Sequence, residues 1–274
     1  MSELELCWGT VLQAGFVESI DAAAHAGFNA VTADPLLVLR SGLAPADMRA
    51  LISNSGVRVS NLDALVSVLP GLPSAEFVES YGRNANGVDV SSGYNLTEDD
   101  FYRTAEITGA DSINVVHFLG NPETPLEAIA RGLSGLSRRA AANGLRTVFE
   151  FLPETAVPDI NTAARLVEMV GEPNFGMMLD TRHLATSGGT AADVVNHAHL
   201  IGATQFSDLR WAARDADDRL LPGDGELPLE QILLSVKAAV PLVPIGVEVF
   251  GSDLFALHPR EAAKRAAEAM RRIM

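Results

Sequence analysis

The chain has 274 residues, 47% of them hydrophobic, and a formal charge of −15 from 35 acidic and 20 basic side chains. This composition supports one large packed core and excludes a disordered or fibrous polypeptide. It also makes a poor nucleic-acid ligand, because phosphate backbones are bound by clustered Lys and Arg.

Cys7 is the only cysteine, so an intramolecular disulfide and a cysteine-built zinc site are both excluded. The segment Met1–Glu5 lacks the basic and apolar regions of a signal peptide. No apolar run approaches the roughly 18 residues that span a bilayer. No membrane partner is expected, and a reducing cytoplasm is the default location.

Strand-like and helix-like segments alternate in strict order. Strands are predicted at Leu4–Trp8, Ala30–Thr32, Arg58–Leu62, Ser112–His117, Arg146–Phe151, Gly176–Asp180, Ile201–Phe206 and Gly246–Phe250. Helices are predicted near 15–26, 44–54, 97–108, 125–143, 159–170, 190–197, 228–239 and 259–273. The strands are short and mostly apolar, as in a parallel sheet covered on both faces. Thr97 with Asp100 resembles a capping box. Thr124-Pro125 and His258-Pro259 place proline at helix starts. Glycines such as Gly27 and Gly109 mark helix ends.

Eight such units argue for an α/β fold of the (β/α)8 barrel type, with residues 1–274 as one domain. An open doubly wound sheet is the competing architecture. It usually carries a glycine-rich phosphate turn, and neither G-x-G-x-x-G nor a Walker sequence is present. Residues 63–96 form an unusually long connection between strand 3 and helix 3, with a short helix expected near 75–81. On a barrel this connection lies at the catalytic mouth, where it can act as a lid.

Four apolar runs in the second half each reach a metal-ligating side chain: Glu150, Asp180, Gln205 and Glu248. If the runs are parallel strands, their C-terminal ends gather at one mouth, the catalytic end of a barrel. Like charges that close repel unless a cation lies between them. A shared divalent ion is therefore expected; neutralisation by arginine or lysine would remove that reason for it. Each residue also has a plainer role open to it. Glu150 and Glu248 could sit in buried salt bridges, and Asp180 could cap the following helix.

His183, three residues beyond Asp180, could bind a substrate hydroxyl or move a proton, or could simply hold a backbone carbonyl. Arg210 could hold a substrate oxyanion or pair with Asp208. His117 is a candidate wall residue at the end of strand 4. Trp8 is a candidate apolar floor at the end of strand 1, or a core residue. His25, His197 and His199 fall in or beside helices. The run Asp215–Asp218 reads as a solvated loop, lacking the ligand spacing of an EF-hand.

The chain resembles the xylose-isomerase-like TIM barrel superfamily of sugar isomerases and epimerases. The marks are Phe149-Glu150-Phe151, Leu179-Asp180-x-x-His183, Gln205-Phe-Ser-Asp208, Leu221-Pro-Gly-Asp-Gly-Glu226 and Gly246-Val-Glu248, with Ala26–Val31 near the start. The resemblance implies one divalent ion on Glu150, Asp180, Gln205 and Glu248. Manganese is expected first, with magnesium, cobalt or zinc as alternatives. It implies that Glu150 and Glu248 act as opposed acid–base groups and that His183 contacts substrate oxygen. Many epimerases have His at the position of Gln205; Gln there is similar to hydroxypyruvate isomerases and dehydroshikimate dehydratases.

The expected activity is isomerisation or epimerisation of a keto-sugar or related polyol ketone through a metal-stabilised enediolate. A dehydratase or lyase acting on a cyclic β-hydroxy ketone is the runner-up, and a non-catalytic carbohydrate-binding barrel is the third reading. Relatives of this kind are often dimers or tetramers. Endonuclease IV shares the fold but binds three zinc ions through many histidines, which this chain lacks.

Overall fold

Eight short apolar segments form eight parallel strands in a computed structural model, which describes residues 3–83, 87, 89–213 and 219–274. They are β1 (Leu4–Leu6), β2 (Ala30–Ala33), β3 (Arg58–Leu65), β4 (Ser112–Val116), β5 (Arg146–Glu150), β6 (Phe175–Asp180), β7 (Ile201–Gln205) and β8 (Ile245–Val247). From β1 to β7 each pairs with the next in sequence, and β1 also pairs with β8. Phe206 closes the remaining gap: its N–H donates to the Gly246 carbonyl at 2.8 Å and its carbonyl accepts from Glu248 N–H at 3.0 Å. The sheet is thus a (β/α)8 barrel and not an open doubly wound sheet. Closure requires Gly246, where an added Cβ would lie 2.1 Å from the Thr204 carbonyl oxygen.

Eight helices cover the barrel: α1 (Phe16–Ala26), α2 (Pro45–Ser55), α3 (Glu98–Thr108), α4 (Leu126–Ala142), α5 (Ile160–Val170), α6 (Ala191–His197), α7 (Leu229–Ala239) and α8 (Pro259–Ile273). Local chemistry sets their ends. Thr97 and Asp100 form the expected capping box, with reciprocal bonds of 3.0 and 3.3 Å. Gly27 and Gly109 end α1 and α3 in the left-handed region, each at φ 76°. The start of α4 differs from expectation. Pro125 occupies the cap position, because the Thr124 hydroxyl donates to the Asn121 carbonyl at 2.7 Å instead.

The short helix Ala75–Tyr81 also falls where expected. Pro35–Leu39, Val90–Tyr94, Thr181–Thr186 and Ser252–Phe255 are additional single-turn or near-single-turn helices. They are too short to leave a 3.6-residue pattern in the sequence. The run Asp215–Asp218 lies outside the described residues.

The main apolar core lies between the strands and the helix ring, with Phe101, Phe149, Phe151 and Phe206 among its largest members. A second, separate cluster of Val148, Met178 and Ala203 comes from three adjacent strands. Each of these residues stands two positions before Glu150, Asp180 or Gln205. Side chains two apart share a face of a strand. The apolar layer therefore packs directly beneath the polar one and sets its height.

Glu5 is a carboxylate buried on β1, and sequence reasoning passed over it. Burial pushes its pKa from 4.5 up to about 7. Ser60 Oγ contacts both Glu5 and the Val31 carbonyl, yet carries one proton. A protonated Glu5 supplies the second. Because the folded pKa lies above the unfolded one, this group's stabilisation is complete below pH 4.5. It is lost as pH rises through about 7. Glu5→Gln is therefore predicted to match the parent near pH 4.5 and to exceed it by roughly 3 kcal/mol at pH 8. Denaturant melts across that range test this, and a difference independent of pH contradicts it.

Candidate functional site

The polar layer above Val148, Met178 and Ala203 gathers the four side chains singled out from the sequence, all of them buried. Glu150 ends β5; its Oε2 accepts from Asn114 Nδ2 at 2.7 Å and its Oε1 lies 3.3 Å from His183 Nε2. Asp180 ends β6 and serves two purposes. Its Oδ1 caps the helix Thr181–Thr186 through His183 N–H at 2.9 Å, while Oδ2 accepts from Arg219 Nη1 at 2.6 Å. Gln205 ends β7, and its Nε2 donates to Glu248 Oε1 at 3.1 Å. Ligating atoms of Glu150, Asp180 and His183 all lie within 4.8 Å of one another.

Two further residues join this group. Asp63, on β3, accepts from Asn114 Nδ2 at 2.8 Å and from Gln205 Nε2 at 3.0 Å. Arg219 brings Nη1 to 2.6 Å from Asp180 Oδ2 and 3.1 Å from Glu248 Oε2, with its guanidinium 5.1 Å from the centroid of the Phe250 ring. Part of the condition set against a shared ion is therefore met, since an arginine does neutralise Asp180 and Glu248. It supplies one charge among four buried carboxylates, because Asp63 adds one that the sequence reading had not counted.

The protonation directions follow from this crowding. Burial alone opposes charge on Asp180, but Arg219 and His183 outweigh it and hold the carboxyl below its ordinary range. Burial drives Glu248 well above its ordinary value; Arg219 offsets part of this, and Asp63, Glu150 and Asp180 add to it. Asp180 has the shorter Arg219 contact and the His183 N–H, whereas Glu248 faces three other carboxylates. Asp63 is raised to about 7, by burial first and then by the charge of Glu150. Burial opposes charge on Arg219 too, yet Asp180, Glu248 and Glu150 hold it above its ordinary value.

A cavity of about 390 Å³ opens over this layer. Trp8, Phe250, Val66, Phe118 and Leu152 form apolar wall, and the 63–96 connection contributes Tyr81, Val90 and Tyr94. Trp8 sits in a 3-10 turn after β1, edge-on to Phe250 with ring centroids 5.9 Å apart. His183 lines the cavity as well.

Two expected cavity residues are placed elsewhere. Arg210 is exposed and does not line the cavity; Arg219 holds the cationic position instead. Asp208, the alternative partner of Arg210, accepts backbone N–H groups from Gly223, Gly225 and Leu227. His117 is buried and bonds the Pro70 carbonyl through Nε2 at 3.0 Å. A carbonyl only accepts, so Nε2 carries the proton, and burial lowers the imidazole pKa. His117 thus ties the 63–96 connection to β4.

Asp63, Asn114 and Arg219 were missed. The apolar run predicts a strand that stops at Leu62, one residue short of Asp63, whereas β3 runs to Leu65. Asn114 interrupts an apolar run just as Gln205 does, and the same argument applies to it. Arg219 gives little local signal, since it lies in a loop beside an acidic run.

The donor set suits a divalent cation. Gln205 Oε1 and His183 Nδ1 are buried and have no hydrogen-bond partner. An amide oxygen, three carboxylates and an imidazole are hard or borderline ligands of the kind bound by Mn, Mg or Zn.

The sequence model of the xylose isomerase-like TIM barrel family matches residues 20–273. Inosose isomerase of Halalkalibacterium halodurans is 25% identical over 174 residues, covering 58% of this chain and 62% of that protein. The 3-dehydroshikimate dehydratase of Pseudomonas aeruginosa is 27% identical over 261 residues, covering 89% of this chain and 37% of that protein. The matches thus span less than two thirds of either relative's length, and both relatives are enzymes. A crystal structure of the IolI protein with a bound zinc atom superposes with a TM-score of 0.81 at 18% identity, covering 100% of this chain and 98% of that one. At that identity the likeness is one of fold. With nearly its whole length matched, the chain belongs to the xylose isomerase-like TIM barrel family.

Proposed function

We propose that the protein is a divalent-metal-dependent isomerase or epimerase acting on a neutral keto-polyol. The observation that carries this reading is the pair Glu150 and Glu248, each held by a separate amide over one buried acidic cluster. Glu150, Asp180, Gln205 and Glu248 are the proposed metal ligands, with His183 beside them. A bound ion would supply Lewis-acid stabilisation of the negative charge that develops on a carbonyl oxygen when an adjacent proton leaves.

The chain's own residues do the rest. One of Glu150 and Glu248 takes the proton from carbon, and the other delivers a proton at the neighbouring carbon or on the opposite face. Asn114 and Gln205 keep the two carboxylates aimed. His183 holds a substrate oxygen. Trp8 and Phe250 give the sugar ring an apolar face and keep water from the reacting carbon.

The charge of the cavity favours a neutral substrate. Arg219 is bonded to Asp180 and Glu248, and Arg182, the other arginine among the lining residues, is also engaged. Asp34 and Asp89 add negative charge further out. A phosphate or carboxylate group would meet repulsion there. The second reading, a dehydratase, is supported by the length of the match to the dehydroshikimate enzyme. It uses the same acid–base pair, with loss of a β-hydroxyl.

The test is proton exchange in deuterium oxide with Mn2+, followed by NMR on a panel of inososes, ketohexoses and dehydroshikimate. The proposal predicts deuterium at the carbon beside the carbonyl of a neutral ketone without loss of water. Glu150→Gln and Glu248→Gln should each slow exchange by about 10²–10⁴-fold while keeping the near-UV circular dichroism of the parent. Full exchange in either variant defeats the two-base scheme, and water loss from dehydroshikimate selects the dehydratase.

Arg219 generates a second prediction. In metal-free protein, Arg219→Met leaves buried carboxylates without their counter-charge, a change that costs about 3–5 kcal/mol in comparable pairs. Its melting temperature should fall, and added Mn2+ should raise it by more than it raises the parent's, because the ion no longer competes with the guanidinium. An unchanged melting temperature on adding Mn2+ would show that arginine alone neutralises the site.

A further inference from the structure

Three side chains link the two glutamates without a break, in a chain of five residues. Glu150 Oε2 accepts from Asn114 Nδ2 at 2.7 Å, which also donates to Asp63 Oδ1 at 2.8 Å. Asp63 Oδ2 accepts from Gln205 Nε2 at 3.0 Å, which also donates to Glu248 Oε1 at 3.1 Å. All five residues are buried. The alternation is chemical: carboxylate, amide, carboxylate, amide, carboxylate. Each amide nitrogen carries two hydrogens, and each hydrogen meets a carboxylate oxygen.

This pattern fixes the direction of the Gln205 amide. An amide that turned over would set its oxygen against Asp63 and Glu248 and lose two bonds to acidic groups. Such bonds contribute more than neutral ones. The amide oxygen therefore faces away from both carboxylates, and Gln205 Oε1 is buried with no donor. With only Glu248 beside it, one N–H of the amide would be left over and a single bond would hold the orientation.

We propose that Asp63 is a positioning residue: by holding the Gln205 amide nitrogen, it determines that the oxygen of Gln205 faces the metal, and through Asn114 it couples that choice to Glu150. This rests on the metal reading of the site. Asp63 need not touch the ion. Its carboxylate accepts from both sides, and no neutral side chain of its size does so. Asn at position 63 has one oxygen; its nitrogen must then point at Asn114 or at Gln205, donor against donor. Gln205 escapes the mismatch by turning over, which gives up its bond to Glu248 and brings N–H groups toward the cation.

A double-mutant cycle read by Mn2+ affinity tests this, with free Mn2+ followed by its paramagnetic resonance signal. In the full-length protein, Asp63→Asn should weaken Mn2+ binding by about 10–100-fold, as removing supports of metal ligands does. In a Gln205→Ala background the same substitution should change affinity less than about twofold, since nothing remains to orient. Equal losses in both backgrounds would mean that Asp63 acts through its charge and not through Gln205, which overturns the inference. If Asp63→Asn fails to fold, Asp63→Ser provides the same cycle. If the unmodified protein binds no Mn2+, the metal reading fails first and the inference falls with it.

Discussion

Four carboxylates buried at one barrel mouth cannot all be charged without a compensating cation. Two unit charges about 4 Å apart interact with roughly 4 kcal/mol even at an effective dielectric constant of 20. Asp63, Glu150, Asp180 and Glu248 meet within one hydrogen-bonded cluster, so several such terms act together. The protein answers with three devices. Arg219 pairs with Asp180 and Glu248, burial and mutual repulsion push Glu248 and Asp63 toward proton uptake, and two amides fill the spaces between carboxylates. Glu150 keeps only the imidazole of His183 and the amide of Asn114 beside it. That residual negative charge is what a divalent ion would satisfy.

The scaffold makes this concentration of charge tolerable. Period-two alternation places Val148, Met178 and Ala203 one layer below the acids, so the cluster stands on a packed floor. Gly246 allows β7 and β8 to approach, and Phe206 then bonds both sides of the seam next to Glu248. His117 anchors the 63–96 connection at Pro70, which brings Tyr81, Val90 and Tyr94 over the opening. The geometry of such a site depends on residues that do not line it.

The architecture was legible because each unit carries redundant marks. Helix ends have caps and glycines, and the strands are apolar runs between them; the eight main helices fall within one residue of their expected bounds. The four proposed metal ligands were legible for a related reason, since a carboxylate or amide in an apolar run needs a partner. The remaining parts of the site were not. Asp63 lay one residue past an expected strand end, where strand boundaries are least certain. Arg219 reaches the cluster from a loop between β7 and β8, and no periodicity places a loop side chain. Arg210 follows β7 more closely in sequence, but the backbone leaves it exposed. His117 has the right position in sequence and the wrong rotation, and its imidazole serves a backbone carbonyl.

The shared-ion centre is the claim on which the rest depends, and anomalous X-ray diffraction from crystals grown with Mn2+ tests it most directly. The account predicts one strong peak at the manganese edge bounded by oxygens of Glu150, Asp180, Gln205 and Glu248, with the Arg219 guanidinium withdrawn from at least one of its two carboxylates. A map with no peak there, and Arg219 still bonded to both Asp180 and Glu248, would contradict it.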